Sequence, residues 1–440
     1  RKPMIDILAL LQCLTPEMNA TVMGQMERIV VAMLAMTGRV TMLGLSRWAG
    51  AGGSYRTIQR FYNTTVDWGQ IHWLLIKSHL LQREAKYILA GDEVVVTKAG
   101  KATHGLNRFF SSLYGKPVPG VSFFSLSLVN VAQRSSHPLR IGQVLRSEAE
   151  NATKDNEPKS VAKRGRGRPK GSKNRNKEEV TLSPYLRFIL SLLQAVKQLL
   201  GATLTVSYVV LDGAFGNHAA LQMVRRCNYH LISKLAVNSA LFFRSTAPYG
   251  GRGAPKKYGD KVKYDNLPQS YRKKSTTEED IRTDIYQFTA LHKLFAQSLN
   301  VVVILKTNLT TNACAHVILF SSDLDQTYDH IIDYYTLRFQ IEFNFRDAKQ
   351  FWGLEDFMNV KQTPLTTAAN LAFFMVNLSF ILRQRWSPSQ PSFSVLDLKA
   401  HFRALKYVSE TLKVLPFSPD PFVIQSISTK LTRLGAINAP

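Results

Sequence analysis

The segment YYTLRFQIEFNFRDAK, residues 334–349, places a phenol, a guanidinium, a carboxylate and an ammonium at Tyr335, Arg338, Glu342 and Lys349. No proline or glycine interrupts residues 326–349 and apolar residues recur throughout, so the pattern predicts a helix. At about 100° per residue, these four positions fall within roughly 60° of one another and extend about 21 Å along one face. Such a stripe offers one carboxylate flanked by three groups able to hold phosphate oxygens. Taken alone, a solvated charged face is the simpler reading, because such side chains are mostly exposed.

The composition points to an anionic partner. Lysine and arginine number 56 against 31 aspartates and glutamates, a formal charge of +25. A surplus of that size favours nucleic acid first and a membrane surface second. The 440 residues, 45% of them hydrophobic, suffice for two or three domains with a real core. Cys13, Cys227 and Cys314 show no CxxC or Cys/His spacing, which argues against a disulfide framework or zinc site and is consistent with a reducing cytosol. The first residue is Arg1, so a processed chain or a piece of a longer one is expected, with no targeting signal visible. The apolar run at 365–382 is broken by Asn370 and Asn377 and reads as a buried core helix rather than a membrane span.

Residues 1–85 read as a helical domain. Within it, TGRVTMLGLSRWAGAGGSYRTIQRFYN (37–63) has two short helical patterns around a GAGGS turn, the second carrying Arg56 and Arg60. This is either a helix-turn-helix whose second helix enters a major groove or an ordinary helical hairpin with basic residues outside. From residue 87 the pattern turns to strands at 87–96, 121–131 and 139–145, a helix at 183–201, a strand at 203–216, a helix at 216–227 and a strand at 229–237. That order predicts an α/β fold, a mixed sheet covered by helices, over residues 86–238. Residues 239–325 read as a β-rich insertion, 326–390 as the helix of the opening segment with the rest of the core, and 391–440 as a C-terminal helical region.

Two more acids stand at informative places. Asp92 lies in the first core strand, and Asp212 ends a later one, where α/β sheets put ligand-binding residues. Carboxylates beside apolar strands are costly unless paired or bound to a cation. With Glu342 they form the set that phosphodiester cleavage and transfer requires. Hard oxygen ligands suit magnesium, and two ions about 3.5 to 4 Å apart can activate a water or 3′-hydroxyl and stabilise the leaving oxygen. Neighbouring lysine and arginine side chains would hold DNA phosphates.

The sequence resembles the DDE transposases of bacterial insertion sequences, in the cut-and-paste class marked by a Tyr-Arg-Glu-Lys signature with two, three and six intervening residues. Tyr335, Arg338, Glu342 and Lys349 match it at every position. GDEVVVTKAGKATHGLNRFFSSLYGK (91–116) is similar to the family's first-aspartate region and VVLDGAFG (209–216) to its second. The resemblance implies an RNase H-like core with a β-rich insertion before the catalytic helix and a metal-binding triad of Asp92, Asp212 and Glu342. It implies two Mg2+ ions, replaceable by Mn2+, and phosphate contacts from Tyr335, Arg338 and Lys349. It further implies a homodimer acting on double-stranded DNA, both element ends and target, in a bacterial cytoplasm beside the nucleoid, with no membrane involved. A freed 3′-hydroxyl can form a hairpin in this family, and a tryptophan of the insertion stacks on a flipped base. Here no tryptophan lies between Asp212 and Glu342, so a tyrosine or phenylalanine would have to serve. Asp92 and Glu93 point to opposite sheet faces, and only the family pattern selects Asp92.

Residues 146–180 are poor in apolar residues and predict a disordered basic loop. Arg166, Gly167, Arg168 and Pro169 within KRGRGRPKGSKNRNK (163–177) resemble an AT-hook, a form able to lie in a narrow A·T minor groove; a non-specific polybasic linker is the alternative. Lys98, Lys101 and Lys116 are further candidates for guiding DNA towards Asp92. The function these features favour is excision and insertion of a DNA element. A non-catalytic DNA-binding derivative and a metal-dependent nuclease of the same fold are the alternatives.

Overall fold

The computed structural model describes residues 6–111, 114–146, 177, 179–251, 253–386 and 393–437. The chain opens with helices α1 (Ile7–Leu11), α2 (Ala20–Ala35), α3 (Met42–Trp48), α4 (Tyr55–Asn63) and α5 (Trp68–His79). Their starts are written locally. The side chains of Asp6, Asn19, Thr41, Ser54 and Asp67 each accept a backbone N–H of the first turn.

Twelve described strands then form one mixed sheet. Its core comprises β1 (Tyr87–Thr97), β3 (Lys116–Asn130), β4 (Ser135–Val144), β5 (Tyr208–Val210) and β6 (His230–Leu235). β3 runs antiparallel to β1 and β4, while β5 lies parallel to both β1 and β6. Helix α6 (Pro184–Leu200), begun by a Ser183 cap with Pro184 in the first turn, precedes β5, and α7 (His218–Arg225) joins β5 to β6. The result is the α/β architecture expected, consistent with an RNase H-like fold.

The sequence patterning did not show that the later strands extend this same sheet. A short β2 (Asn107–Ser111) adds to β3. Strands β7 (Leu241–Arg244), β8 (Tyr258–Lys261), β9 (Arg272–Glu278), β10 (Ile281–His292), β11 (Leu299–Asn308) and β12 (Cys314–Ser321) follow β6. β12 pairs antiparallel with β6, from Ile318↔Leu235 to Ser321↔Ile232, and so continues the core sheet into the insertion. Pairing over such a sequence separation leaves no local trace.

The predicted single helix over 326–349 is two helices, α8 (Tyr328–Leu337) and α9 (Gln340–Gln350). At the junction the ladder tightens to three-residue bonds, Phe339 N to Thr336 O, Ile341 N to Arg338 O and Glu342 N to Phe339 O. Two apolar clusters explain the break. Ile331, Tyr334 and Leu337 of α8 pack with Ile88, Ala90, Val210 and Ile232, whereas Ile341, Phe345 and Ala348 of α9 join the main core with Val94 and Val96. The rod is redirected between two packing surfaces.

Helices α10 (Gln362–Trp386), α11 (Val395–Val414) and α12 (Pro421–Leu431) complete the described chain. α10 is, among the described residues, the one helix long and apolar enough to cross a membrane, and 89% of its apolar window is buried within the protein. Two of its asparagines find partners inside the core, with Asn377 donating to Pro138 O at 2.8 Å and Asn370 Oδ1 lying 3.3 Å from His72 Nε2.

Candidate active site

Asp92 occupies the seam between the two clusters. On its face of β1, Ala90 belongs to the cluster under α8 and Val94 to the core under α9. The α8–α9 junction therefore lies over Asp92. The parallel register Leu89↔Val209 and Ala90↔Val210 brings Asp212, just past β5, level with Asp92. Asp212 caps the short turn Gly213–Phe215, accepting from Ala214 N at 3.1 Å, and its carbonyl accepts from the Ser233 hydroxyl at 2.6 Å. Gly216 lets this turn pass beneath β6, since a Cβ there would stand 2.1 Å from the Lys234 carbonyl oxygen. Gly91 does the same for β1, where a Cβ would meet Leu211 Cδ2 at 2.8 Å and Phe124 Cζ at 2.9 Å.

The junction delivers Arg338 and Glu342. Arg338 Nη1 donates to Asp92 Oδ2 at 2.5 Å, and its Nη2 is 3.7 Å from Glu342 Oε1. The Tyr335 ring lies 5.9 Å from the guanidinium carbon. Burial pushes the Asp92 carboxyl up to about 6; Arg338 and the Glu93 N–H pull the other way, while the negative charges of Asp212 and Glu342 raise it further. Burial likewise raises the Tyr335 phenol, with Arg338 opposing and Asp212 and Asp92 adding to the rise. Asp92, Asp212, Glu342, Tyr335 and Arg338 thus share one electrostatic neighbourhood.

Glu93 faces the other way. Its carboxylate accepts from the hydroxyls of Ser122 at 2.5 Å and Tyr185 at 2.7 Å. Tyr185, in the first turn of α6, was not singled out in the sequence because nothing local ties it to β1. Its phenol is held above its usual range, by burial first and then by Glu93. A partner to α9 was also missed. Asn344 donates to Ser136 O of β4 at 3.0 Å and so anchors the helix that carries Glu342. Asn344→Ala is expected to cost about 1 to 2 kcal/mol, read as a lower thermal midpoint, because it leaves a buried carbonyl without this donor.

The remaining predicted residues sit elsewhere. Lys349 donates to Val95 O at 2.8 Å and pairs with Glu355 at 2.9 Å, so it is engaged by β1 and the loop after α9 rather than by the three acids. This corrects the expectation of one continuous stripe: the 338–339 break divides it. Lys98 donates to Phe357 O at 2.7 Å and lies 3.5 Å from the Phe357 ring centre, and burial lowers its ammonium to about 8. It is a structural tie to the loop after α9, unlike the exposed Lys101 and Lys116. Arg56 and Arg60 are exposed on α4, whose Ile58, Phe61 and Tyr62 are buried. Arg166, Gly167, Arg168 and Pro169 lie outside the described residues. Phe339 and Phe343, partly exposed beside Glu342 and edge-to-face at 5.5 Å, form an aromatic surface that the sequence reading passed over.

The carboxylates of Asp92, Asp212 and Glu342 are oxygen donors of the kind a hard divalent cation takes. Among the described residues no three His, Cys, Asp or Glu side chains stand close enough to share one ion, and the group placed between Asp92 and Glu342 is the Arg338 guanidinium. Residues 9–293 match the family model described as DDE superfamily endonuclease. The matched stretch contains Asp92 and Asp212 and ends before Glu342. No curated protein matches the chain.

Proposed function

Because the chain belongs to the DDE superfamily of endonucleases, whose members typically use divalent metals and act on DNA, we propose that it is a cut-and-paste transposase of the Tyr-Arg-Glu-Lys class. In this reading it cuts at the ends of an insertion sequence and joins the freed 3′-hydroxyls to target DNA. The observation that carries the reading is the level placement of Asp92 on β1 and Asp212 just past β5, with Glu342 tied to Asp92 through Arg338 at the α8–α9 junction.

The carboxylates of Asp92, Asp212 and Glu342 would hold Mg2+, with Mn2+ as a substitute. When bound, such ions supply an activated water or 3′-hydroxyl and charge neutralisation at the scissile phosphate. The protein's own groups do the rest. Arg338 has a planar fork suited to two phosphate oxygens, and Tyr335 offers a hydroxyl beside it. Lys349, once released from Glu355, would add a phosphate contact. Phe339 and Phe343 offer aromatic faces for an unpaired base, the role left open by the absence of tryptophan between Asp212 and Glu342. Arg56 and Arg60, exposed on the second helix of the α3–α4 pair, would contact a major groove. The Arg166–Pro169 tetrad would grip an A·T minor groove, and a homodimer would hold both ends.

The test is incubation of the protein with Mg2+ and DNA carrying the sequences that flank its gene, followed by mapping of cut sites and of joints to a second plasmid. Cuts at the element boundary with strand transfer are expected. Cuts without joining would reduce the reading to a nuclease, and binding with no cut would make the protein a non-catalytic DNA binder.

A further inference from the structure

The Arg338 side chain is only 15% exposed and sits where the acids most need positive charge. It touches carboxylates on two elements, Asp92 of β1 at 2.5 Å and Glu342 of α9 at 3.7 Å, while its Nε is buried without a partner. A guanidinium cannot leave by losing its proton, so these carboxylates become free only if the side chain moves. Its backbone lies at the two-residue junction between α8 and α9, where the regular ladder is already interrupted. With one nitrogen unsatisfied, its fork has a donor to spare for an anion that offers several oxygens at once. A DNA phosphate is such an anion, and it would carry away none of the carboxylate oxygens.

We infer that Arg338 is an internal counter-cation that competes with divalent metal for Asp92 and Glu342, and that an entering DNA phosphate draws it away and opens the metal site. Metal and DNA would then bind with positive coupling, each raising the affinity for the other by the same factor. The DNA-free protein would hold its metal weakly, which confines cleavage to the assembled complex. The inference rests on the reading that Asp92, Asp212 and Glu342 hold the metal, and the experiment separates the two.

The experiment is Mn2+ titration of the full chain without DNA, followed by electron paramagnetic resonance of the free ion. Arg338→Ala is expected to bind Mn2+ roughly tenfold or more tightly than the wild type, within the usual range of coupling. Arg338→Lys keeps the positive charge and is expected to stay near wild-type affinity, which separates charge competition from a general loosening of the junction. Asp212→Asn is expected to weaken binding in either background. Equal or weaker Mn2+ binding by Arg338→Ala, with Asp212→Asn still harmful, would overturn the competition and leave the metal site standing. Binding unaffected by Asp212→Asn would remove the metal-site reading itself, and the competition with it.

Discussion

Asp212→Asn is expected to lower metal-dependent DNA cleavage by about a thousandfold or more while leaving DNA affinity within about twofold. The substitution is nearly isosteric. An asparagine oxygen can still accept the Ala214 N–H, and the Ser233 bond goes to the main-chain carbonyl, so the turn after β5 keeps its supports. What is lost is one negative charge level with Asp92. Affinity for DNA depends instead on the basic surplus of a chain with a net charge of +25, against which one charge counts for little. Cleavage and gel-shift assays run in parallel, with a thermal melt to verify folding, give the answer. A mutant that cuts at the wild-type rate would remove Asp212 from the chemistry. Glu342→Gln extends the same test to the acid outside the stretch matched by the family.

Much of the core was legible because it is written in local periodicity. The apolar runs of β1 and β3, the capped α6 and the acids at strand positions are all short-range signals. The α8–α9 junction is the instructive miss. Its apolar residues Ile331, Leu337, Ile341, Phe345 and Ala348 keep a helical spacing across the break, and neither proline nor glycine marks it. The break arises because the sheet beneath offers two separate apolar clusters, a fact of tertiary packing. The same limit hid the partners of Lys349 and Lys98, which are carbonyls far along the chain. Angular position on a predicted helix suggested which side chains face together; it could not say that Lys349 is tied to Val95. Local pattern could not separate the neighbours Asp92 and Glu93 either, because what distinguishes them is tertiary: Ser122 and Tyr185 hold Glu93, whereas Arg338 pairs with Asp92.

In the presence of a chelator at pH 7, Asp92→Asn should be more stable than the wild type by roughly 2 to 3 kcal/mol, with the difference vanishing near pH 4. The folded carboxyl lies at about 6, above its ordinary 3.8. A raised acid binds its proton more tightly in the folded state, so its stabilising contribution is complete below the unfolded value and is lost as pH rises through about 6. Residual exposure of 23% trims the figure through solvent screening. The wild type's own pH profile cannot reveal this, because buried His72 and His137 are pushed down to about 4 and contribute the opposite slope, with stability lost as pH falls. Only the difference between mutant and wild type isolates Asp92, since the histidines cancel. Scanning calorimetry at pH 4, 5, 6 and 7 would trace it as a gap in thermal midpoint that opens with pH. Saturating Mg2+ at pH 7 should then raise the wild-type midpoint and leave the mutant nearly unmoved, narrowing or reversing the gap. A gap that is flat with pH would mean that Arg338 neutralises Asp92 fully in the folded protein, and that the three acids do not crowd one another as their placement implies.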